Sequence, residues 1–298
     1  MKHAHRFLTL AIAAALLALV PSAAQAAKAK PAKLAVALGD SLSTGVQPDA
    51  AGKNQATKAG YPYQLAARSG AKLKNFGCGG ATSGSLVTSD KKCFEHFGKL
   101  PFKNKNRATS QLAAAEKYIR ENRDDIAYVT IDIGANDVAS CAAGGKLDVK
   151  CVTEGIARIK KYVPEIAKRL RKAAGKDVPI AGMTFYNPFL QQWFTNPGLA
   201  EATVGIAKTQ VNDALTKIYK KQKIKVADVG TAFGTYKPFS QTTTYNGRAG
   251  VPVAVANICK YSWMCAAAPR GPNIHATKAG YTLITDTFQK SIGKAARK

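Results

Sequence analysis

The sequence predicts an α/β fold in which helices cover both faces of a central, parallel, five-stranded sheet. Short apolar runs alternate with longer amphipathic segments from about residue 34 to the end of the chain. Strands that alternate with helices form parallel sheets with helices on both faces. The chain of 298 residues is long enough for one domain with a substantial core. We therefore expect a single α/β domain over residues 34–298.

Apolar runs and amphipathic periodicity predict the individual elements. The predicted strands are Leu34–Leu38, Lys72–Phe76, Ile126–Ile133, Val178–Thr184 and Ile224–Val229. The predicted helices are Tyr61–Ser69, Ala108–Arg120, Thr153–Ala173, Glu201–Lys221 and Thr277–Ala296. The third helix has the clearest pattern, because Ile156, Ile159, Val163, Ile166 and Leu170 form one apolar stripe. Pro164 lies inside that helix and predicts a kink.

The first residues have the pattern of an export signal. Lys2 and Arg6 precede the apolar run Phe7–Val20, and Ala24-Gln-Ala26 follows as a small-x-small cleavage site. The run of about 14 residues is shorter than the roughly 20 that span a bilayer. We expect a signal peptide over residues 1–26, cleaved after about Ala26, and a short linker over 27–33. The product should be secreted, extracellular and without a transmembrane segment.

The cysteine content agrees with export. All six cysteines follow the leader, and an even number of cysteines in an exported chain predicts disulfides. Six cysteines allow fifteen pairings, and the spacing alone selects none of them. The chain has no Cys-x-x-Cys motif, so we do not predict a metal site.

The chain is strongly basic, with a formal net charge of +26. The leader carries two of the 44 basic residues and no acid, which leaves 42 basic residues against 18 acidic ones, or +24. Such a charge favours anionic surfaces as partners. Runs such as Lys168–Lys172 fit the solvated face of a helix better than a dedicated binding site. No motif accompanies the charge that would predict nucleic-acid binding, and we expect a monomer.

The segment Lys33–Ser43 contains the strongest indication of chemistry. Its apolar run ends at Gly39 and is followed by Asp40 and Ser41. Glycine permits a sharp turn, and Asp-Ser-x-Ser can cap a helix. A serine at a strand-to-helix turn would have free N–H donors beside it, which is the arrangement that a serine nucleophile needs. The alternative is that Asp40 and Ser41 act only as a cap.

Three later segments favour the catalytic interpretation. They are Asn75-Phe-Gly-Cys-Gly-Gly-Ala-Thr82, Ile131-Asp-Ile-Gly-Ala-Asn-Asp137 and Pro272-Asn-Ile-His275. Several of these blocks follow strands, where α/β sheets bind ligands. The chain has four histidines, of which His3 and His5 lie in the leader and His96 in a polar loop. His275 is therefore the preferred general base.

As a set, the four segments resemble the SGNH (GDSL) hydrolase family, over most of the chain from about Leu34. The resemblance implies a flavodoxin-like three-layer α/β/α sandwich. It makes Ser41 the nucleophile and His275 the base, with the Ser41 N–H, the Gly80 N–H and the Asn136 amide as the oxyanion hole. Gly79 is the alternative to Gly80 if the register shifts by one residue.

Further expectations follow from the same resemblance. Asp40 and Asp137 should support the local backbone, and no metal or organic cofactor is implied. Secreted actinobacterial esterases and lipases of the family are similar in their three disulfides. The implied pairs are sequential, namely Cys78–Cys93, Cys141–Cys151 and Cys259–Cys265.

One position departs from the family pattern. The family's last block is Asp-x-x-His, but Pro272 stands at the place of the acid. The missing group would accept the imidazole Nδ1–H and fix the tautomer. We expect the main-chain carbonyl of Pro272 to do so. A distant acid, Asp132 or Asp286, and loss of activity are the alternatives.

The expected function is that of a secreted serine esterase or lipase acting on small-molecule or lipid esters through an acyl-enzyme. Two variants remain open, a polysaccharide O-deacetylase and a phospholipase. A rival hypothesis from another class is a non-catalytic, cationic surface-binding protein on a degenerate SGNH scaffold. The aromatic-rich segment Thr184–Thr195 fits an acyl pocket and ordinary packing equally well.

Overall fold

The centre of the molecule is a five-stranded parallel sheet. The structure, a computed structural model, describes Met1 and residues 33–88 and 109–296. The predicted signal peptide beyond Met1 lies outside the described residues. All neighbouring strands pair in parallel, in the spatial order β2-β1-β3-β4-β5. The strands are β1 (Leu34–Gly39), β2 (Lys72–Asn75), β3 (Ile126–Asp132), β4 (Ile180–Met183) and β5 (Lys225–Ala227).

This strand order creates a topological switch point between β1 and β3. From β1 the chain passes to β2 on one side, and it then returns to β3 on the other side. In doubly wound sheets, ligands bind in the crevice outside the carboxyl ends of the strands at such a point. Asp40 and Ser41 follow β1, and Asn136 follows β3. The fold therefore places the two predicted segments at the same crevice.

Helices flank the sheet in two layers, as predicted. In one layer α1 packs against α9, and in the other α4 packs against α2, α3 and α6. The helices are α1 (Tyr61–Ser69), α2 (Ser83–Val87), α3 (Gln111–Glu121), α4 (Val149–Ala174), α5 (Pro197–Gly205), α6 (Asp213–Lys221), α7 (Val229–Ala232), α8 (Val253–Tyr261) and α9 (Lys278–Ile292). Three two-stranded sheets, 47–48 with 54–55, 242–245 with 248–252, and 262–263 with 273–276, complete the fold.

The predicted apolar stripe of α4 is confirmed. Ile156, Ile159, Val163, Ile166 and Leu170 are all buried in the core. The helix begins at Val149, four residues before the predicted start, because the Asp148 carboxylate accepts the Cys151 N–H at 2.9 Å. An acidic N-cap of this kind satisfies one of the free donors of the first turn.

The single helix predicted over Glu201–Lys221 is wrong in detail. A π-helical segment, Ile206–Asn212, separates α5 from α6. Asn212 is buried here, and its side chain accepts the Phe185 N–H at 2.8 Å and donates to the Phe185 carbonyl at 2.7 Å. Hydrogen bonds to the backbone after β4 thus hold the inserted residue inward. Such π segments are rare and are frequently found at functional sites.

Two of the three implied disulfides are present. Cys141 pairs with Cys151 and Cys259 with Cys265, with Cα–Cα distances of 5.4 and 4.9 Å. The implied Cys78–Cys93 pair involves Cys93, which lies outside the described residues. Among the helices described, none is both long and apolar enough to cross a bilayer.

Gly155 is the position where α4 comes closest to the turn after β3. A Cβ atom at Gly155 would lie 2.2 Å from the Asp137 carbonyl oxygen and 2.7 Å from Cγ1 of Val138. We expect Gly155→Ala to lower the free energy of unfolding by about 1–3 kcal/mol, because overpacking forces the backbone apart. Thermal and denaturant unfolding would measure the change.

Gly205 provides the matched control. Its backbone is helical, with φ −57° and ψ −47°, and a Cβ there would meet no atom within 4 Å. Gly205→Ala should leave stability unchanged or raise it by about 0.5–1 kcal/mol. Equal effects of the two substitutions would contradict the close approach at Gly155.

Candidate active site

Ser41 lies in a tight turn directly after β1. Residues 41–45 form turns rather than a helix, and the next α-helix begins only at Tyr61. Asp40 and Ser41 therefore do not cap a helix, which is the alternative stated for them above, and the first helix is the one predicted at Tyr61–Ser69. The Ser41 carbonyl accepts the Val46 N–H at 3.0 Å, which closes the turn. The serine itself is 9% exposed, so it is nearly enclosed and still reachable from the crevice.

The Asp132 carboxylate replaces the missing helix as the organiser of this turn. Its Oδ2 accepts the N–H groups of Asp40 and Ser43, each at 3.2 Å, and its Oδ1 accepts the Tyr61 hydroxyl at 2.6 Å. Gly39 makes this approach possible, because a Cβ there, at φ +143°, would lie 2.3 Å from Oδ1 of Asp132. Asp132 is thus fully engaged with the turn and does not orient His275, contrary to the alternative left open above.

The turn leaves one N–H group for a ligand. The N–H of Leu42 donates to Oδ1 of Asp40 at 2.9 Å, and those of Asp40 and Ser43 go to Asp132. Of residues 40–43, only Ser41 has an N–H without an acceptor among the described residues. A free N–H on the nucleophile is the first donor that an oxyanion hole requires.

The glycine turn after β2 shows the same pattern. The N–H groups of Gly77 and Cys78 donate to Oδ1 of Asn75 and to the Gly39 carbonyl, at 2.8 and 2.9 Å. In the described ranges the N–H groups of Gly79 and Gly80 have no such acceptor. Gly80 has φ +77°, a conformation that glycine adopts without strain.

Asn136 joins the glycine turn to the serine turn. Its amide nitrogen donates to the Ala81 carbonyl at 3.0 Å and to Oδ2 of Asp40 at 3.2 Å. Asp137 connects the same elements, since its carboxylate accepts the N–H and the hydroxyl of Ser83 at 2.8 and 2.9 Å. Asp40 and Asp137 therefore accept hydrogen bonds from the backbone and the side chains of both turns.

His275 lies in the short strand 273–276 before α9 and is 8% exposed. Its Nδ1 lies 2.7 Å from Oδ1 of Asn273, so the acceptor predicted at the Pro272 carbonyl is instead the side chain of the next residue. Asp286, the other open alternative, pairs with Arg68 at 2.5 Å on the surface. Burial alone lowers the pKa of His275 to about 4.

The serine and the histidine line one cavity. Ser41, Asn136 and His275 share a cavity of about 110 Å³, whereas Gly80 and Pro272 are not part of its wall. The rest of the wall is mostly apolar and comes from the turn after β3, the segment after β4 and the π segment. Its apolar residues include Val138, Ala142, Val152, Phe185, Phe189, Ile206 and Val211.

The buried carboxylates beside the serine also have shifted pKa values. Burial raises the pKa of Asp40 to about 6, and it raises the pKa of Asp132 well above its usual range, with the Asp40 charge adding to the effect. Within residues 33–88 and 109–296 no group of three or more His, Cys, Asp or Glu side chains is arranged to hold a metal ion.

Sequence reasoning missed three contributors to this site. Asn273 had no signal other than its position two residues before the histidine. Asp132 was considered only as a partner of His275. The π segment lies within a continuous helical pattern, and the buried polar residue inside it is Asn212.

Comparison with known proteins decides the family. A profile of the GDSL-like lipase/acylhydrolase family matches residues 37–283. The chain belongs to this family. The match includes the segments around Ser41, Asn136 and His275. No curated protein matches the chain.

Solved structures share the fold at low sequence identity. A Bacillus subtilis protein aligns with a TM-score of 0.50 and 14% identity, covering 88% of this chain and 56% of that one. An acetylxylan esterase from Geobacillus stearothermophilus aligns with a TM-score of 0.46 and 15% identity over 89% and 96% of the two chains. A putative lipolytic protein of the G-D-S-L family from Desulfitobacterium hafniense aligns with a TM-score of 0.44 and 11% identity, covering 87% of this chain and 99% of that one.

Membership of the GDSL-like family makes the role of Asp132 testable by kinetics. Asp132→Asn keeps a carbonyl oxygen for the two backbone N–H groups. Its Tm should therefore stay close to that of the parent, and its kcat should stay within about tenfold. Asp132→Leu removes the acceptor of three buried donors, the N–H groups of Asp40 and Ser43 and the Tyr61 hydroxyl. Each unpaired buried donor costs about 1–3 kcal/mol. We expect a lower Tm and a lower kcat on an accepted ester. Asp286→Leu is the control, since an exposed ion pair contributes about 0–1 kcal/mol.

The lowered pKa of His275 predicts that catalytic activity is retained at acidic pH. A general base must be neutral, so activity should be lost only as the pH falls through the pKa of about 4. The acid limb of kcat/KM should therefore lie well below pH 6.5.

Asp40 and Tyr186 are the other titratable groups in this cavity, and burial raises the pKa of both. Asp40→Asn removes the carboxyl that titrates near pH 6. If the acid limb of kcat/KM still lies at pH 6.5 or above in Asp40→Asn, the interpretation of His275 as a buried, uncharged base is wrong.

Proposed function

We propose that the protein is a serine esterase that hydrolyses carboxylic esters through an acyl-enzyme on Ser41. The observation that supports the proposal is the shared cavity, which Ser41 and His275 both line together with a mostly apolar wall. Membership of the GDSL-like family supports ester hydrolysis as the reaction class. The substrate is a small-molecule or lipid ester.

In the proposed mechanism His275 acts first as a base and then as an acid. Its Nε2 takes the proton from Oγ of Ser41 while Oγ attacks the ester carbonyl. The tetrahedral intermediate collapses when the protonated histidine gives its proton to the leaving alkoxide. A water molecule then repeats the attack on the acyl-enzyme, which releases the acid and restores Ser41.

The oxyanion hole is assigned to the donors that the fold leaves free. The N–H groups of Ser41 and Gly80 have no acceptor among the described residues. Ser41 lines the cavity, whereas Gly80 lies outside its wall, so the substrate oxygen would have to bind towards the glycine turn to accept from Gly80. The amide hydrogens of Asn136 are engaged with Ala81 and Asp40. The third donor therefore becomes available when the substrate oxygen replaces the Asp40 carboxylate, which is the longer of the two contacts.

The apolar wall favours an acyl chain longer than acetyl. Aliphatic and aromatic side chains line most of the cavity, and burial of each methylene group contributes about 0.8 kcal/mol. An acetyl group would leave most of this surface unused. The wall thus argues for an esterase or lipase over an O-deacetylase.

Export is part of the proposal. Two disulfides are compatible with an oxidising compartment, and the leader pattern of residues 1–26 points to secretion. The positive charge would bring the enzyme to anionic surfaces, where lipid esters are found.

A panel of acetyl, butyryl, octanoyl and palmitoyl esters tests this function. Turnover should rise from acetyl to at least butyryl. Ser41→Ala should abolish turnover and labelling by a fluorophosphonate with little change in Tm. Activity on acetyl esters alone would favour the deacetylase. A parent chain that neither turns over esters nor reacts with the fluorophosphonate would favour the non-catalytic alternative.

The acyl pocket has its own pair of variants. Ala207 lines the cavity and is half-buried, so Ala207→Phe should lower octanoyl turnover more than acetyl turnover. Ala202 is exposed and lies outside the cavity on α5, which makes Ala202→Phe the matched control. The octanoyl-to-acetyl ratio should change in the first variant only. An unchanged ratio in both would place the acyl chain elsewhere.

A further inference from the structure

We propose that Asn273 is the positioning residue of the active site, with its neutral amide oxygen in the role that a triad carboxylate has in the family pattern. The inference rests on the proposed function of Ser41 and His275 and names the group that prepares His275 for it. The family pattern places an acid three residues before the histidine, where this chain has Pro272. The structure offers a different acceptor at the next position.

The contacts identify both the acceptor atom and the tautomer. Oδ1 of Asn273 accepts the backbone N–H of His275 at 3.0 Å and lies 2.7 Å from the ring Nδ1. A backbone N–H can only donate, so the amide atom that faces it is the oxygen and not the nitrogen. An amide oxygen cannot donate, and the ring Nδ1 must therefore carry the hydrogen. This leaves Nε2 unprotonated, as a base for Ser41 requires.

A second amide fixes the orientation of the first. The Nδ2 of Asn273 donates to Oδ1 of Asn54 at 2.8 Å. Asn54 belongs to the two-stranded hairpin of residues 47–48 and 54–55. From the same hairpin, the side chain of Gln47 donates to the Ala276 carbonyl at 2.5 Å. These contacts hold the strand 273–276 from one side, with the Asn273 amide nitrogen facing Asn54 and its oxygen facing the imidazole.

No carboxylate competes for this position among the described residues. Asp132 is engaged by Tyr61, Asp40 and Ser43, and Asp286 pairs with Arg68. Asp40 lines the same cavity but is bound by Leu42 and Asn136. The pKa of His275 agrees, since burial lowers it and no charged partner raises it.

The rival explanation is a purely structural turn, in which Asn273 only holds the backbone N–H of His275. Three substitutions separate the two roles. Asn273→Ala removes both contacts. Asn273→Ser retains a hydroxyl for the backbone N–H but is too short to reach the ring as well. Asn273→Asp retains both contacts and adds a negative charge.

The kinetic test compares these variants on an ester that the parent accepts. With Asn273→Ala and Asn273→Ser, kcat should fall about 10²-fold, less than the roughly 10⁴-fold that loss of a charged triad member costs. KM should stay within about twofold. Asn273→Asp should remain active, with its acid limb raised by at least about one pH unit, because a nearby carboxylate favours imidazolium.

Asn122→Ala is the matched control, since Asn122 bonds to the Tyr118 carbonyl away from the cavity. It should leave kcat, the pH profile and the tautomer unchanged. Thermal unfolding of each variant identifies any loss of folding. If Asn273→Ala fails to fold, Asn273→Ser and Asn273→Asp still decide the question.

Nitrogen-15 NMR of the imidazole tests the inference without reference to turnover. The His275 signals are assigned by their absence in His275→Gln. The parent should show the Nδ1–H tautomer, and Asn273→Ser should lose it.

Parent and variant results together separate the two proposals. An Nδ1–H tautomer in a parent that hydrolyses no ester would support the role of Asn273 and refute the proposed function. The role of Asn273 would be overturned by a different pair of results. In that case the parent hydrolyses esters, and Asn273→Ser leaves kcat, the acid limb and the tautomer of His275 unchanged.

Discussion

The hydrogen bonds of the Asp132 carboxylate are the constraint on which the active-site geometry depends. Asp132 ends β3 and is paired in register with Gly39 at the end of β1, so it lies at the switch point of the sheet. Because Gly39 has no side chain, the carboxylate reaches the N–H groups on both sides of Ser41. The nucleophile is thereby fixed to the neighbouring strand without the helix that usually organises such a turn.

Burial determines the electrostatics of the site. The carboxyl groups of Asp40 and Asp132 are both buried, and their pKa values are raised because an apolar environment disfavours the charged form. The same effect lowers the pKa of His275. Burial keeps this base neutral. Its partner therefore has to fix the tautomer of the imidazole, and it does not have to supply a negative charge. An amide oxygen is sufficient for that purpose.

The sequence predicts the fold well, and it predicts the contacts that support the candidate site poorly. The five strands, Ser41 and His275 each follow from a local pattern, an apolar run or a scarce residue type. Asn273 could not be found in this way, because an asparagine two residues before a histidine indicates no contact in the sequence. Only the structure shows that its side chain lies beside the imidazole of His275. The π segment was missed for a related reason, since only tertiary hydrogen bonds from Asn212 to Phe185 show that the helix widens there.

The segment after Ser41 explains how two residues so distant in sequence share one cavity. The Ser41 carbonyl accepts the Val46 N–H at 3.0 Å, and the Val46 carbonyl accepts the hydroxyl of Tyr281 on α9 at 3.0 Å. The hairpin that follows contributes Gln47 and Asn54 to the strand that carries His275. One short stretch of chain therefore contacts the nucleophile turn, the base strand and the helix behind it. The relative placement of Ser41 and His275 depends on these local contacts. Changes in this hairpin should therefore act on catalysis although none of its residues lines the cavity.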